Sequence, residues 1–309
     1  MTGIVVEAVS ALSYDRLATL MTRAFAGYVA PVSVSAATLR GMVERDDILL
    51  DASLVARVDG DVAGLALVAV RPFRAATRTR LAAMGVVPGR RRTGVGSALL
   101  RRVVDDARGR GSRRLALEAF ASNRAALRLY EAHGFVVERR LLGFTLPGAG
   151  PRAHGARAVS LRGISAPAAL PLFALASGTE PRAAAPPWQL EVPSLARLVE
   201  GAEIYAVLAP GAPGPVGYLA LGGVVPASDG TPYLRLLHLG ILPPWRRRGL
   251  ATAALVAALD MYERDGVAGF TVGPLVPEGS TLVPFLLARG AARAPEEQVE
   301  MALHGLGAG

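Results

Sequence analysis

Two rhythms of apolar and polar positions run through the first half of this chain. Ile4–Val9, Arg80–Val87 and Arg114–Phe120 read as strands. Leu49–Val58 and Val62–Val70 are apolar runs joined at Asp59-Gly60, a strong hairpin signal. Tyr14–Phe25 sets Leu17, Leu20, Met21 and Phe25 at helical spacing. Gly94–Arg108 predicts an amphipathic helix with Leu99, Leu100, Val103 and Val104 inward, stopped by Gly109 and Gly111. Asn123–Ala132 predicts a helix closed by Gly134, and Phe135–Glu138 and Leu141–Leu146 predict short final strands. Strands alternating with helices predict an α/β layer around a mixed sheet.

The pattern then repeats. Val87-Pro88-Gly89-Arg90-Arg91-Arg92-Thr93-Gly94-Val95-Gly96-Ser97 aligns with Leu242-Pro243-Pro244-Trp245-Arg246-Arg247-Arg248-Gly249-Leu250-Ala251-Thr252 at an offset of 155 residues, half the chain. The same offset lays Ile4–Val9 over Val159–Ile164 and Tyr130 over Phe285. Gly217–Val225, Tyr233–Leu242, Leu250–Glu263 and Ala268–Val272 continue the order less cleanly. The stretch around Pro147–Gly155 is rich in breakers and reads as a linker. The expected organisation is therefore two tandem mixed-sheet α/β domains, residues 1–147 and 158–309, joined by 148–157.

Composition narrows the chemistry. The 309 residues are 51% hydrophobic and 19% charged, enough to bury cores. No apolar run reaches membrane-spanning length; Val62–Val70 is among the longest. The start of the chain has no signal-peptide pattern, so the expected compartment is the cytoplasm and no membrane partner is expected. Cysteine is absent, which excludes disulfides and thiol nucleophiles, and the four histidines lack ligand spacing, so no metal is expected. The net charge of +9 is built from arginine alone. It is lopsided: residues 1–155 hold 23 arginines and 13 acids, whereas 156–309 hold 11 and 12. Arginine suits phosphate. A nucleic-acid surface could carry such charge, but these arginines lack interleaved aromatics, which speaks against that partner.

The most informative segment is strand, Pro88, Arg91-Arg92-Thr93-Gly94-Val95-Gly96, helix. A helix start after a glycine-containing turn presents free backbone N–H groups and the positive end of the helix dipole to an anion. The spacing is neither a P-loop nor a dinucleotide fingerprint. Together with Met84-Gly85-Val86-Val87 before it and Leu117-Glu118…Ser122-Asn123…Leu129-Tyr130-Glu131…Gly134-Phe135 after it, the segment resembles the GNAT superfamily of acyl-CoA N-acyltransferases. The resemblance covers most of residues 1–146. The glutamate, serine–asparagine and tyrosine spacing is most similar to ribosomal-protein alanine acetyltransferases.

What the resemblance implies is an N-acetyltransferase that uses acetyl-CoA as co-substrate. Met84, Gly85 and Val86 would pair with the pantetheine arm, and the loop Arg91, Arg92, Thr93, Gly94, Val95, Gly96 and Ser97 would hold the pyrophosphate. Asn123 would contact the pantetheine arm, Tyr130 would protonate the leaving thiolate, and Glu118 would act as base on the amine, directly or through water. Read as residues alone, Tyr130 also suits a buried helix face, Glu118 a strand-edge acid and Asn123 a helix cap. The acceptor would be a small-molecule or peptide amine; Arg71, Arg74, Arg78 and Arg80 hint at one bearing a carboxylate. In the second half Glu118 aligns with Gly273, Asn123 with Glu278 and Tyr130 with Phe285, so that copy is expected to be degenerate, unless His238 serves there as base. A non-catalytic acyl-CoA-binding regulatory module is the alternative function, and a homodimer is left open.

Overall fold

The computed structural model describes residues 3–29, 32–73, 76–148, 159–177, 184–197, 202–227 and 229–306. The expected linker falls almost wholly outside them, as does Arg74. The chain divides into two compact units, Met1–Arg139 with Gln298–Gly309, and Arg140–Glu297.

The first unit begins with β1 (Ile4–Ala8), α1 (Tyr14–Ala24) and α2 (Ala36–Asp46). The side chains of Ser13 and Ser35 cap the two helices by accepting from the Arg16 and Thr38 amides. The strands β2 (Leu54–Val58), β3 (Asp61–Phe73) and β4 (Ala76–Val86) follow, the first two joined at Asp59-Gly60. Next come α3 (Val95–Gly109), β5 (Ser112–Phe120) and α4 (Arg124–Glu131). The sheet runs β1-β2-β3-β4-β5, antiparallel except for the parallel β4–β5 pair. Leu99, Leu100 and Val103 of α3 and Leu127 and Tyr130 of α4 are buried with Leu115, Leu117 and Ala119 of β5. At about 25 cal/mol per Å² of apolar surface, that layer is the main source of the unit's stability.

The second unit repeats this order with β7 (Ser160–Gly163), α5 (Ala166–Ser177), α6 (Val192–Ala196), β8 (Ala202–Leu208), β9 (Gly217–Pro226), β10 (Pro232–Ile241), α7 (Leu250–Met261), β11 (Gly269–Pro277), α8 (Leu282–Leu287) and the short β12 (Ala292–Arg293). Its strands pair β7-β8-β9-β10-β11, again antiparallel except for the parallel β10–β11 pair.

The domain boundary differs from the expected 147. Residues 136–147 form one strand, β6 (Val136–Pro147), rather than two short ones, and its Leu141–Pro147 portion pairs with β11 of the second unit. The edge of β5 is closed instead by β13 (Gln298–His304), from the end of the chain, in unbroken antiparallel register from Gln298↔Phe120 to His304↔Arg114. Each sheet thus ends on a strand from the other half of the sequence. Each strand carries a run of four consecutive buried residues, Leu141–Phe144 and Val299–Ala302, so an inward–outward pattern cannot say which β-edge each will choose.

β13 is fixed in the first unit by charge as well as by its ladder. Glu300 is buried and accepts from Arg114 at 2.5 Å and from Arg139 at 2.6 Å. Glu138 accepts from Arg114 and lies 2.8 Å from His304 Nε2. Burial works against its ionised form, but Arg114 and His304 outweigh it and hold the carboxyl below its ordinary value of 4.5. A depressed carboxylate stabilises the fold above the unfolded-state value, and that stabilisation is lost as pH falls through the folded one. The melting temperature is therefore expected to drop as pH is lowered below about 4.5, and to drop less in Glu138→Gln; equal acid slopes would refute the coupling.

Candidate active site

The site begins where two parallel strands stop pairing. The β4–β5 ladder ends at Leu81↔Leu117, yet β4 continues to Val86 and β5 to Phe120. A register shift in the β3–β4 ladder, between Leu67↔Ala83 and Val68↔Leu81, leaves Ala82 as the extra residue at the point of divergence. Beyond it β4 keeps β3 on one side only. The Val87 amide donates back to Ala63 on β3. Strand alternation then turns the polar groups of Met84 and Val86 toward the opened edge. Of the predicted pantetheine-contacting trio these two face the gap, while Gly85 turns toward β3. Gly85 is required for another reason: a Cβ there would lie 3.0 Å from Ala24 Cβ and from the Phe25 ring.

The loop after β4 leads to the uncapped start of α3. Arg92 and Gly94 both take left-handed backbone, φ 63° and 89°, and Gly94 occupies the N-cap position with no side-chain hydrogen bond to the first turn. For arginine that conformation is strained by order 1–3 kcal/mol, the kind of cost found at ligand clamps. The amides of Val95, Gly96 and Ser97 precede the first intrahelical donor, Ala98, which bonds to the Gly94 carbonyl. Gly96 also serves packing, since a Cβ there would meet Leu129 at 3.2 Å. Thr93 Oγ1 donates to the Arg90 carbonyl at 2.7 Å. Arg91 is not a loose phosphate cation. Its Nε donates to the Val86 carbonyl at 3.1 Å and its terminal nitrogen to Ala24 and Ala26 at 3.1 and 2.6 Å, tying the end of β4 to the C-terminal end of α1.

The remaining predicted residues gather around the divergence. Asn123 caps α4, its Oδ1 accepting from the Ala126 amide at 3.2 Å. Its side chain also hydrogen-bonds Tyr28, whose hydroxyl is pushed up by burial despite that bond. Tyr28 escaped the sequence reading because it lies after α1 in a stretch with no periodicity. It stacks edge-on against Phe25 and Phe120. Tyr130 is buried on α4, and no described residue bonds its hydroxyl. Burial, and then the neighbouring Tyr28, push that phenol far up, so it stays protonated at any working pH. Ser97 Oγ meets His133 Nε2 at 3.0 Å, and His133 Nδ1 meets the Leu129 carbonyl at 2.8 Å. His133 thus joins the two helices.

Glu118 comes with a partner. It is the first β5 residue past the ladder, but its carboxylate accepts from Arg80 Nε and a terminal nitrogen at 2.8 and 2.7 Å, with both side chains about 5–6% exposed. Both nitrogens reach the same carboxylate oxygen, Oε2. The hint of an acidic acceptor weakens: Arg80 is committed to Glu118, and Arg71 donates to Asp47 at 2.7 Å.

Residues 24–135 match the acetyltransferase (GNAT) family model. These residues are a GNAT acetyltransferase domain. Among curated proteins no sequence matches the chain. Solved structures align over its whole length. A GCN5-related N-acetyltransferase from Sphaerobacter thermophilus is 17% identical, covers 99% of this chain and 96% of its own, and superposes with a TM-score of 0.65. A tandem GNAT protein from the clavulanic acid biosynthesis pathway is 19% identical over 99% and 100%, with a TM-score of 0.69. A GCN5-related N-acetyltransferase from Kribbella flavida is 19% identical over 97% and 71%, with a TM-score of 0.62. The chain therefore has the tandem GNAT fold. Among the described residues no helix is long and apolar enough to cross a membrane, and no cluster of three or more histidines and acids could hold a metal ion.

The second GNAT-like unit keeps the cradle and changes the chemistry. β10 and β11 pair only at Leu234↔Phe270 and Arg235↔Thr271 before diverging. Arg247 and Gly249 repeat the left-handed backbone at 61° and 75°. Arg246 repeats the anchor, donating to Ile241 and Ala176 at 2.9 Å. Thr252 and Arg289 replace the Ser97–His133 link, at 2.7 Å, and Arg289 lies 3.8 Å from the Phe285 ring centre. His238 shares a 2.5 Å hydrogen bond with Tyr218 and stacks on its ring. Burial pushes its imidazole down to about 4, which makes it a weak base. This unit encloses a cavity of about 1100 Å³ between the diverging strands and the start of α7.

Because Arg91 anchors the GNAT loop, Arg91→Ala is expected to lower the unfolding free energy by about 1–2 kcal/mol in urea titrations. Arg91→Lys should recover only part of that, since an ammonium cannot span three carbonyls in a fixed fork. An unchanged midpoint in Arg91→Ala would remove the anchor.

Proposed function

We propose that the first unit transfers an acetyl group from acetyl-CoA to a primary amine by direct attack in a ternary complex. The observation that carries this reading is the open edge of β4 meeting the uncapped start of α3. Together they offer strand groups to an amide-bearing arm and helix amides to a diphosphate. Met84 and Val86 would bind the arm, and the loop from Arg92 to Ser97 the pyrophosphate. Asn123 would contact the arm while capping α4, and Arg91 would set the loop's position.

In the transfer, the amine nitrogen attacks the thioester carbonyl carbon, the C–S bond breaks and an amide forms. The Val86 amide would donate to the developing oxyanion. Tyr130, kept protonated by burial, supplies the proton to the departing sulfur. Glu118 takes the proton of the attacking ammonium through water. The absence of cysteine leaves no thiol nucleophile for an acyl-enzyme route. The acceptor is a small-molecule or peptide amine, and the cytoplasm is the proposed compartment. The Arg80–Glu118 pair favours a second reading, a non-catalytic acyl-CoA-binding module, which predicts binding without thiol release.

Calorimetric titration with acetyl-CoA and a free-thiol assay over an amine panel separate the two. Tyr130→Phe is expected to lower kcat about 100-fold with the acetyl-CoA Kd unchanged. Turnover equal to that of the native chain would take Tyr130 out of the mechanism.

A further inference from the structure

One buried carboxylate of the first unit has no part in the proposed reaction, yet it faces a group that does. Glu300 lies on β13, directly opposite Glu118 of β5 in the antiparallel ladder. Its neighbours Val299 and Met301 pack into the layer that holds Leu115, Leu117 and Ala119 of β5. Strand alternation therefore turns Glu300, like Glu118, to the other face of the sheet, with the two Cβ atoms about 5 Å apart. Like charges so placed are destabilising unless each is neutralised. Arg80 serves Glu118. Glu300 takes two guanidiniums, Arg114 on Oε1 at 2.5 Å and Arg139 on Oε2 at 2.6 Å.

Arg114 reaches Glu300 along the strand rather than across it. Its own register partner is His304, four residues beyond Glu300. Between the two pairs stands Ala116↔Ala302, whose small side chains leave the arginine room to extend toward Glu300, and so toward Glu118. Arg139 arrives from β6. Three guanidiniums thus converge on two facing carboxylates. Without the charge of Glu300, Arg114 and Arg139 would be largely buried cations short of a partner, a costly condition. Glu118 is the acid that faces Glu300 across the ladder, and they would turn to it.

We propose that Glu300 is a positioning residue of the first unit's active site, holding Arg114 and Arg139 on the last strand so that they do not crowd the Glu118 carboxylate. The inference rests on the reading of Glu118 as the base in that unit. An ammonium, or the water that carries its proton, must reach a Glu118 oxygen. A carboxylate offers about four acceptor positions, and each guanidinium drawn onto it takes up one or two. The last strand therefore supplies a charge that the chemistry needs, besides closing the sheet. Glu138 offers the contrast within the same network. It too accepts from Arg114, but it lies against His304, at the end of the ladder away from Glu118.

The test compares variants of the full chain in steady-state kinetics with acetyl-CoA and the amine that the panel ranks first. Glu300→Gln keeps the shape and loses the charge; it is expected to lower kcat at least about tenfold with the acetyl-CoA Kd unchanged, the loss one misplaced charge-assisted contact produces. Glu138→Gln is expected to stay within about twofold of the native chain, although it also takes a carboxylate from Arg114. Adding Arg139→Met to Glu300→Gln removes a stray guanidinium and should recover most of the lost turnover, which a merely structural role does not predict. Glu300→Asp, which draws the charge back by one methylene, covers the case in which Glu300→Gln does not fold; its smaller loss should likewise be relieved by Arg139→Met. The carboxyl carbon resonance of Glu118, assigned with Glu118→Gln, reads position without turnover. It should move in Glu300→Gln, return in the double variant and stay in place in Glu138→Gln. Native turnover in Glu300→Gln, an equal loss in Glu138→Gln, no recovery on adding Arg139→Met, or an unmoved Glu118 resonance would each overturn the proposal. A native chain that releases no thiol with any amine refutes the function proposed for the first unit, and the resonance then decides alone whether Glu300 holds the arginines away from Glu118.

Discussion

Both units depend on a parallel pair of strands that stops being a pair. A β-ladder satisfies backbone donors and acceptors on both edges of a strand, and a buried strand that loses one ladder ordinarily loses stability. Here β4 and β10 lose a partner for their last residues and keep their shape because something else holds their ends. That is Arg91 in one unit and Arg246 in the other, each reaching from a loop to a strand carbonyl and to the end of a helix. The left-handed arginine and glycine that follow turn the chain sharply enough to aim a helix start at the opening. Remove the anchor and the edge, the loop and the helix start no longer need to converge on one point.

Within that shared frame the two units have diverged in charge rather than in shape. The first buries opposite charges in pairs and keeps a protonated phenol in an aromatic wall. Tyr28, Phe25 and Phe120 surround the divergence, and Tyr28 links Asn123 to Tyr130 in the same neighbourhood. Among its described lining residues the second has no aspartate, glutamate or tyrosine and retains cations and apolar walls.

Much of the frame was legible in the sequence because it rests on local chemistry. The Asp59-Gly60 turn, the glycine-flanked helix with Leu99, Leu100 and Val103 inward, and the paired arginine–glycine loops 155 residues apart all lie where spacing and turn propensity place them. What escaped was non-local. The helix Ala36–Asp46 turns only Leu39, Val43 and Asp46 inward, too thin a stripe to show as periodicity. Arg91 and Glu118 were read from their own segments, and their actual partners, Ala24, Ala26 and Arg80, lie 67, 65 and 38 residues away. Tyr28 gains its place only once α1 has packed beside β4. The changed second copy was half hidden for a similar reason: the loss of Glu118's counterpart is visible in an alignment, but that Arg80 is Glu118's partner is visible only in space.

The exchanged final strands carry a consequence for how the chain comes into being. The β5 edge is completed by Gln298–His304, a segment that leaves the ribosome long after β5 itself. The N-terminal lobe cannot finish its native sheet while it is being made, even though all its helices and its arginine–glycine loop have already emerged. For the time it takes to synthesise the rest, it must wait with a bare strand edge exposed, and closing that edge joins residues nearly two hundred positions apart, a slow kind of contact. Early on, the arginine-rich surface of that half is its main protection, because like charges keep waiting copies from pairing edge to edge.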